Sequence, residues 1–187
     1  MTRRPAADSP WSVPVIVEQI PEDGLRQSLA TTPQQRAAMA AEAGVPAMPQ
    51  ASARFELTPA GRGRVRVTGQ VQGEVAQTCV VTLEPLQNVI DEPVDVLFAP
   101  EDQIEALTKA QEEAAEAGEE TGDPPEPITD GRIDLGKLAA DVLFLAIDPY
   151  PRKPGAVFEP PAEAEDPEAH PFAALAKLKG GPAPGEG

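Results

Sequence analysis

The clearest regularity in the chain is a two-residue period. Val65, Val67, Gly69, Val71, Gly73 and Val75 alternate with Arg64, Arg66, Thr68, Gln70, Gln72 and Glu74. Successive side chains of a strand point to opposite faces, so this pattern predicts a half-buried antiparallel strand. Its glycines mark a bend or close packing. Upstream, Ala53, Phe55 and Leu57 alternate with Arg54, Glu56 and Thr58, and Ala60-Gly61-Arg62-Gly63 separates the two runs as a turn. Residues 79–83 and 89–98 predict two more strands, the second with Val94, Val96 and Phe98 inward. Residues 13–20 predict another, with Val13, Val15 and Val17 on one face and Pro14 at an edge or a strand start.

Two stretches switch to a helical period. Thr32-Pro33-Gln34-Gln35 opens a helix: Thr32 caps it, Pro33 takes the first position and Gln35 completes a capping box. It runs through Met39 and its alanines to Glu42 or Ala43, where Gly44 stops it. Leu135, Leu138, Ala139, Val142, Leu143 and Ala146 form a second stripe, with Asp134 as its cap and Asp148-Pro149 as its end. The fold class expected is α+β: a curved antiparallel sheet or partly open barrel of about five strands, with two helices, a disordered acidic insert and disordered tails.

Composition adds the boundaries. Among 187 residues there are 23 Pro and 15 Gly, about a fifth of the chain against roughly 12% in average proteins. The net charge of −16 is uneven: residues 101–127 hold ten carboxylates and one Lys, and residues 159–170 hold five carboxylates and no Lys or Arg. The first of these suits a fraying helix to residue 117 and then loop, an acidic flexible insert. Residues 1–11 form an N-terminal tail, residues 12–158 a single domain, and residues 159–187 a Pro/Glu-rich linker followed by a short amphipathic segment, Pro171-Phe172-Ala173-Ala174-Leu175-Ala176-Lys177-Leu178-Lys179. No apolar run is long enough to span a membrane, and the basic start lacks the apolar stretch of a signal peptide, so the expected location is the cytoplasm.

Little in the chain resembles an active site. One Cys excludes an internal disulfide and a multi-cysteine zinc site. A cysteine nucleophile needs a base or cation beside it, and the one His, His170, lies far away in the acidic linker, so Cys79 reads as a structural core residue. Asp134, Asp141 and Asp148 recur every seven residues and read as a cap, a solvated position and a terminator. An acidic chain does not bind nucleic acid with its whole surface, because displacing phosphate counterions takes Lys or Arg. A local patch remains open: Arg54, Arg62, Arg64 and Arg66 gather around one turn, and Arg132, Lys137, Arg152 and Lys153 can join them. The alternative is an ordinary solvated strand face. The acidic insert can also fold over such a patch and compete with RNA. Asp148-Pro149-Tyr150-Pro151-Arg152-Lys153-Pro154-Gly155 is stiffened by three prolines, and its Tyr150 either stacks on a base or packs on the sheet.

Several blocks together resemble the YceD family, the large ribosomal RNA subunit accumulation proteins. They are the strand containing Gly69, Gln77-Thr78-Cys79-Val80-Val81-Thr82-Leu83-Glu84-Pro85, Phe98-Ala99-Pro100, Ile133-Asp134-Leu135-Gly136, and Leu145-Ala146-Ile147-Asp148-Pro149-Tyr150-Pro151-Arg152. Pro171-Phe172-Ala173-Ala174-Leu175 resembles alphaproteobacterial members, and the resemblance runs over about residues 13–178. It implies a bacterial, non-enzymatic protein of ribosome biogenesis, needed for accumulation or processing of 23S ribosomal RNA. The implied partner is 23S rRNA, its precursor, or a large-subunit assembly protein, with no cofactor, metal, membrane or small-molecule substrate. The family gives no catalytic residue to carry over. Many members hold a CxxC-like pair here, whereas this chain has Cys79 followed by Thr82. The rival expectation is a protein-interaction adaptor with no RNA contact. Arg54, Arg62, Arg64, Arg66, Arg132, Lys137, Tyr150, Arg152 and Lys153 are the RNA- or partner-contact candidates.

Overall fold

The computed structural model describes residues 9–118 and 122–158. The readings of residues 1–8, of His170, of the linker 159–170 and of the segment 171–179 lie outside those residues. The expected strand alternation is realised as a long hairpin. Val65–Thr78 (β4) and Pro85–Pro100 (β5) pair antiparallel along their length, from Val65 opposite Phe98 to Thr78 opposite Pro85. Ala47–Pro59 (β3) lies on the other side of β4 and Leu25–Ala30 (β2) beyond it, while Glu126–Ile128 (β6) adds to β5 in parallel. The result is an open, mixed five-stranded sheet in the order β2-β3-β4-β5-β6, with a separate two-stranded sheet of Pro14–Ile16 (β1) and Arg132–Asp134 (β7).

The barrel alternative is therefore corrected to an open sheet, and the helices number three among the described residues. Pro33–Ala43 (α1) has the expected capping box: Gln35 N–H donates to Thr32 Oγ1 at 3.2 Å and Thr32 N–H donates to Gln35 Oε1 at 2.8 Å. Gly44 ends it in the left-handed region at φ 67°. Glu101–Glu116 (α2) is the helix expected to residue 117, continuous rather than part of a disordered insert, and residues 126–128, of which 126 and 127 were expected as loop, are β6. Leu135–Ala146 (α3) starts at Asp134, whose Oδ1 accepts the N–H groups of Lys137 at 3.0 Å and Val13 at 2.8 Å. One carboxylate thus caps the helix and pins the N-terminal segment to it.

The core is the inner face of the sheet closed by α3. Val65, Val67, Val71 and Val75 are buried with Phe55, Leu57, Leu135, Ala139 and Leu143. Glycine makes room where α3 meets β4: a Cβ on Gly73 would lie 2.8 Å from Leu143 Cδ2, the movable end of that side chain. At Gly69 the demand comes from backbone, since a Cβ would lie 2.0 Å from the Arg54 carbonyl oxygen. Three local expectations are overturned. Trp11, assigned to a flexible tail, is 1% exposed and belongs to the core. Residues 79–83, expected as a strand, form the turn between β4 and β5, and residues 17–19 wind into a 3₁₀ turn where the strand from 13 was expected to continue.

Candidate functional site

The two blocks around Cys79 and Tyr150 meet at the far end of the long hairpin. In the turn, Cys79 N–H donates to Glu84 O at 2.9 Å and Leu83 N–H donates to Cys79 O at 3.0 Å. Leu83 takes φ 60°, a conformation unusual for a leucine, and leaves its side chain in solvent. After α3, Asp148 Oδ1 accepts the Tyr150 N–H at 2.8 Å, a local turn that redirects the chain. The segment 148–155 then crosses the hairpin end as a strap. Val80 N–H donates to Pro151 O at 2.9 Å, Lys153 N–H donates to Cys79 Sγ at 3.4 Å, and Lys153 Nζ donates to Glu84 Oε2 at 3.0 Å.

A buried amide fastens the start of the strap. Gln77 Nε2 donates to Asp148 O at 2.7 Å, and Asn88 Nδ2 donates to Gln77 Oε1 at 2.6 Å. Gln77 is thereby satisfied on both sides although its side chain is buried. Cys79 is buried, as the sequence suggested. Its sulfur faces the Lys153 backbone N–H first and then the Thr82 side chain and backbone N–H, and these donors hold the thiol at about 6, below its ordinary value. Its described hydrogen-bond partners include no imidazole or carboxylate. Among the described residues no group of three metal-binding side chains occurs. No described helix is long and apolar enough to cross a membrane.

The candidate cations do not form one patch. Arg62 and Arg64 sit at the β3–β4 turn, and Lys153 and Arg152 at the opposite end of β4, roughly 45 Å away along the strand. Arg54 and Arg66 lie on the outer face of the sheet between them, and Arg132 and Lys137 at the start of α3. Three of the cations meet carboxylates. Arg66 makes a two-pronged contact with Asp95 at 2.7 and 2.6 Å, Lys137 reaches Asp141 at 2.7 Å, and Lys153 reaches Glu84. The shared hydrogen bonds raise Arg66 and Lys137 and lower Asp95 and Glu84. Arg64 instead donates from Nε to Gln103 Oε1 at 2.7 Å, while Gln103 Nε2 donates to Arg62 O at 3.0 Å, so the acidic helix α2 begins on the basic turn.

Tyr150 is 72% exposed. Packing on the sheet, one of its two sequence readings, is corrected: Pro151 is the buried residue of the strap, and Tyr150 and Arg152 on either side of it are exposed. The residues that sequence reasoning missed are Gln77, Asn88, Glu84 and Gln103. Each carries a polar side chain whose partner is distant in sequence, so no local spacing announces it.

A family model described as "Large ribosomal RNA subunit accumulation protein YceD" matches residues 67–179. No curated protein and no solved structure matches the chain. The family match takes in the long hairpin, its turn, α3 and the strap, the elements that the hydrogen bonds above join. By that match over more than half its length, the chain belongs to the YceD family of large ribosomal RNA subunit accumulation proteins.

Proposed function

We propose that this protein is a non-enzymatic, cytoplasmic ribosome-biogenesis factor that supports accumulation or processing of 23S ribosomal RNA. The observation that carries the reading is the family match over residues 67–179, whose name specifies large-subunit RNA. The strap adds a place for contact. Tyr150 and Arg152 are both exposed on a segment stiffened by Pro149, Pro151 and Pro154, where an aromatic face can stack on an unpaired base and a guanidinium can meet phosphate. Arg54, Arg62, Arg64 and Arg132 are secondary contacts, with the acidic α2 competing with phosphate at the Arg62–Arg64 turn.

The test is binding of purified full chain to 23S rRNA fragments at two salt concentrations. Tyr150→Ala is expected to weaken binding about tenfold, the value of one stacked base. Arg152→Ala weakens it less and lowers the salt slope by about one. Salt-insensitive binding, or binding untouched by either change, rejects RNA contact at the strap.

The second reading is an adaptor that meets a large-subunit assembly protein without touching RNA. The specific observation in its favour is the neutralisation of Arg66, Lys137 and Lys153 by carboxylates. Retention of a protein partner by a chain that binds no 23S fragment selects it.

A further inference from the structure

The turn between β4 and β5 holds a leucine where the backbone disfavours one. Leu83 sits at φ 60° with its side chain 77% exposed. An exposed leucine alone is ordinary, and so is left-handed backbone at Gly or Asn. Together they work against the fold twice, since the backbone is strained and the side chain gains no burial in return. The turn itself uses only backbone: Leu83 N–H donates to Cys79 O at 3.0 Å and Cys79 N–H donates to Glu84 O at 2.9 Å. Asn at this position would keep both bonds and tolerate the φ. What Leu83 adds is an apolar side chain held out in solvent.

Its neighbours share that character. Val80, in the same turn, is 45% exposed, and Tyr150 is 72% exposed. Tyr150 precedes the Pro151 whose carbonyl accepts the Val80 N–H. Chain geometry therefore keeps the Leu83 and Tyr150 Cα atoms within about 15 Å of each other. Charge around them is balanced. Residues 79–84 and 148–155 hold two cations, Arg152 and Lys153, and two carboxylates, Glu84 and Asp148. Lys153 is already paired with Glu84. A double helix is held largely through its phosphates by Lys and Arg, and this end of the hairpin has little to offer it. An open strand presents the flat faces of its bases, which aromatic and apolar side chains cover without needing charge.

We infer that Leu83 is a base contact of the strap site beside Tyr150, and that this site takes unpaired nucleotides and rejects duplex RNA. The inference rests on the reading of Tyr150 and Arg152 as RNA contacts and names the kind of RNA they meet. The family match, which names ribosomal RNA, favours a base over an apolar protein pocket as the occupant.

Purified full-length chain is titrated into labelled single strands of about 12 nucleotides that tile 23S rRNA. Each strand that binds is retested after annealing to its complement. Annealing is expected to weaken binding by about tenfold or more. Leu83→Asn should weaken binding to the single strand about tenfold, the loss of one covered apolar side chain, with the salt slope unchanged. The same variant should melt about 2–4 °C higher, because it relaxes the turn. Leu83→Met keeps an apolar side chain and should bind within about twofold of the parent. Equal binding of single strand and duplex overturns the ligand class. Binding that falls in Tyr150→Ala but not in Leu83→Asn overturns the Leu83 contact and leaves the strap reading standing. A lower Tm in Leu83→Asn, or an equal loss in Leu83→Met, shows that the leucine serves the fold and overturns the contact too. If the parent binds neither form of any tile, the RNA reading itself falls and this inference with it.

Discussion

Replacing Gln77 by Leu keeps the volume of the side chain and deletes the amide that joins Asn88 to the start of the strap. Two short hydrogen bonds are lost, to Asp148 O and from Asn88 Nδ2. Each is worth about 1 kcal/mol net, and leaving the half-buried Asn88 amide without its acceptor adds about 1–2 kcal/mol. Gln77→Leu is thus expected to destabilise by about 3–4 kcal/mol, reduced to the extent that water reaches Asn88 or the Asp148 carbonyl. Asn88→Ala removes only one of the bonds and should cost about half as much, and the double variant should cost less than the sum of the two. Urea unfolding gives the three values. Amide exchange localises the effect, because Val80 N–H donates to Pro151 and Lys153 N–H to Cys79 Sγ only while the strap is docked. Faster exchange at Val80 and Lys153 is expected in Gln77→Leu. A loss under about 0.5 kcal/mol, with both amides as slow as in the parent, refutes the clasp.

Three other measurements probe different parts of the fold. Gly69→Ala should destabilise by about 3 kcal/mol and Gly73→Ala by about 1–2 kcal/mol in urea, because the new methyl meets the Arg54 backbone carbonyl in the first case and the movable end of Leu143 in the second; equal effects contradict that assignment. Cys79 titrates at about 6 in the folded chain and at about 8.5 when unfolded. A folded value depressed below the unfolded one gives a stabilisation that is fully present above the unfolded value and lost as pH falls to the folded one, so the stability difference between parent and Cys79→Ala should grow from about pH 6 to about pH 8.5 and be flat on either side. Thr32→Ala removes the oxygen that accepts Gln35 N–H and should cost about 1 kcal/mol, read as a lower Tm.

What the sequence disclosed was governed by locality. β4 was readable because each of its valines faces the core while Arg66, Gln70 and Gln72 lie toward solvent. α1 was readable because Thr32, Pro33 and Gln35 satisfy its first turn among themselves. The turn at 79–84 was not. Val80 and Val81 favour a strand, but the Val80 N–H is taken by Pro151 and the Cys79 N–H by Glu84, so a contact seventy residues away outweighed propensity. β6 is three residues containing Pro127 and is defined by its pairing with residues 98–100. Trp11 carried no periodic neighbours, yet its carbonyl oxygen sits where a Cβ on Gly136 would be, which no spacing reveals. The basic residues were found as a list. What the list lacked was the position of Asp95, 29 residues from Arg66, and of Glu84 beside Lys153, which decide how much free positive charge remains.

The clasp gives the strap's contact residues an indirect dependence that separates presentation from contact. On the RNA reading, Tyr150 and Arg152 bind with little ordering cost because the prolines and the bonds to Gln77, Val80 and Cys79 already fix their backbone. Releasing the strap lowers the fraction of chains that are ready to bind, and the apparent affinity falls by that fraction. Gln77 is buried and carries no charge, so Gln77→Leu should weaken binding to a 23S fragment while leaving the salt slope as it was. Arg152→Ala removes one phosphate contact, so it should lower the slope by about one. If Gln77→Leu instead changes the slope as Arg152→Ala does, the cations act as a mobile group rather than as a presented pair. If it leaves affinity untouched while exchange at Val80 and Lys153 rises, the strap is not the binding element, and the scattered arginines of the sheet face and the β3–β4 turn become the surface to test.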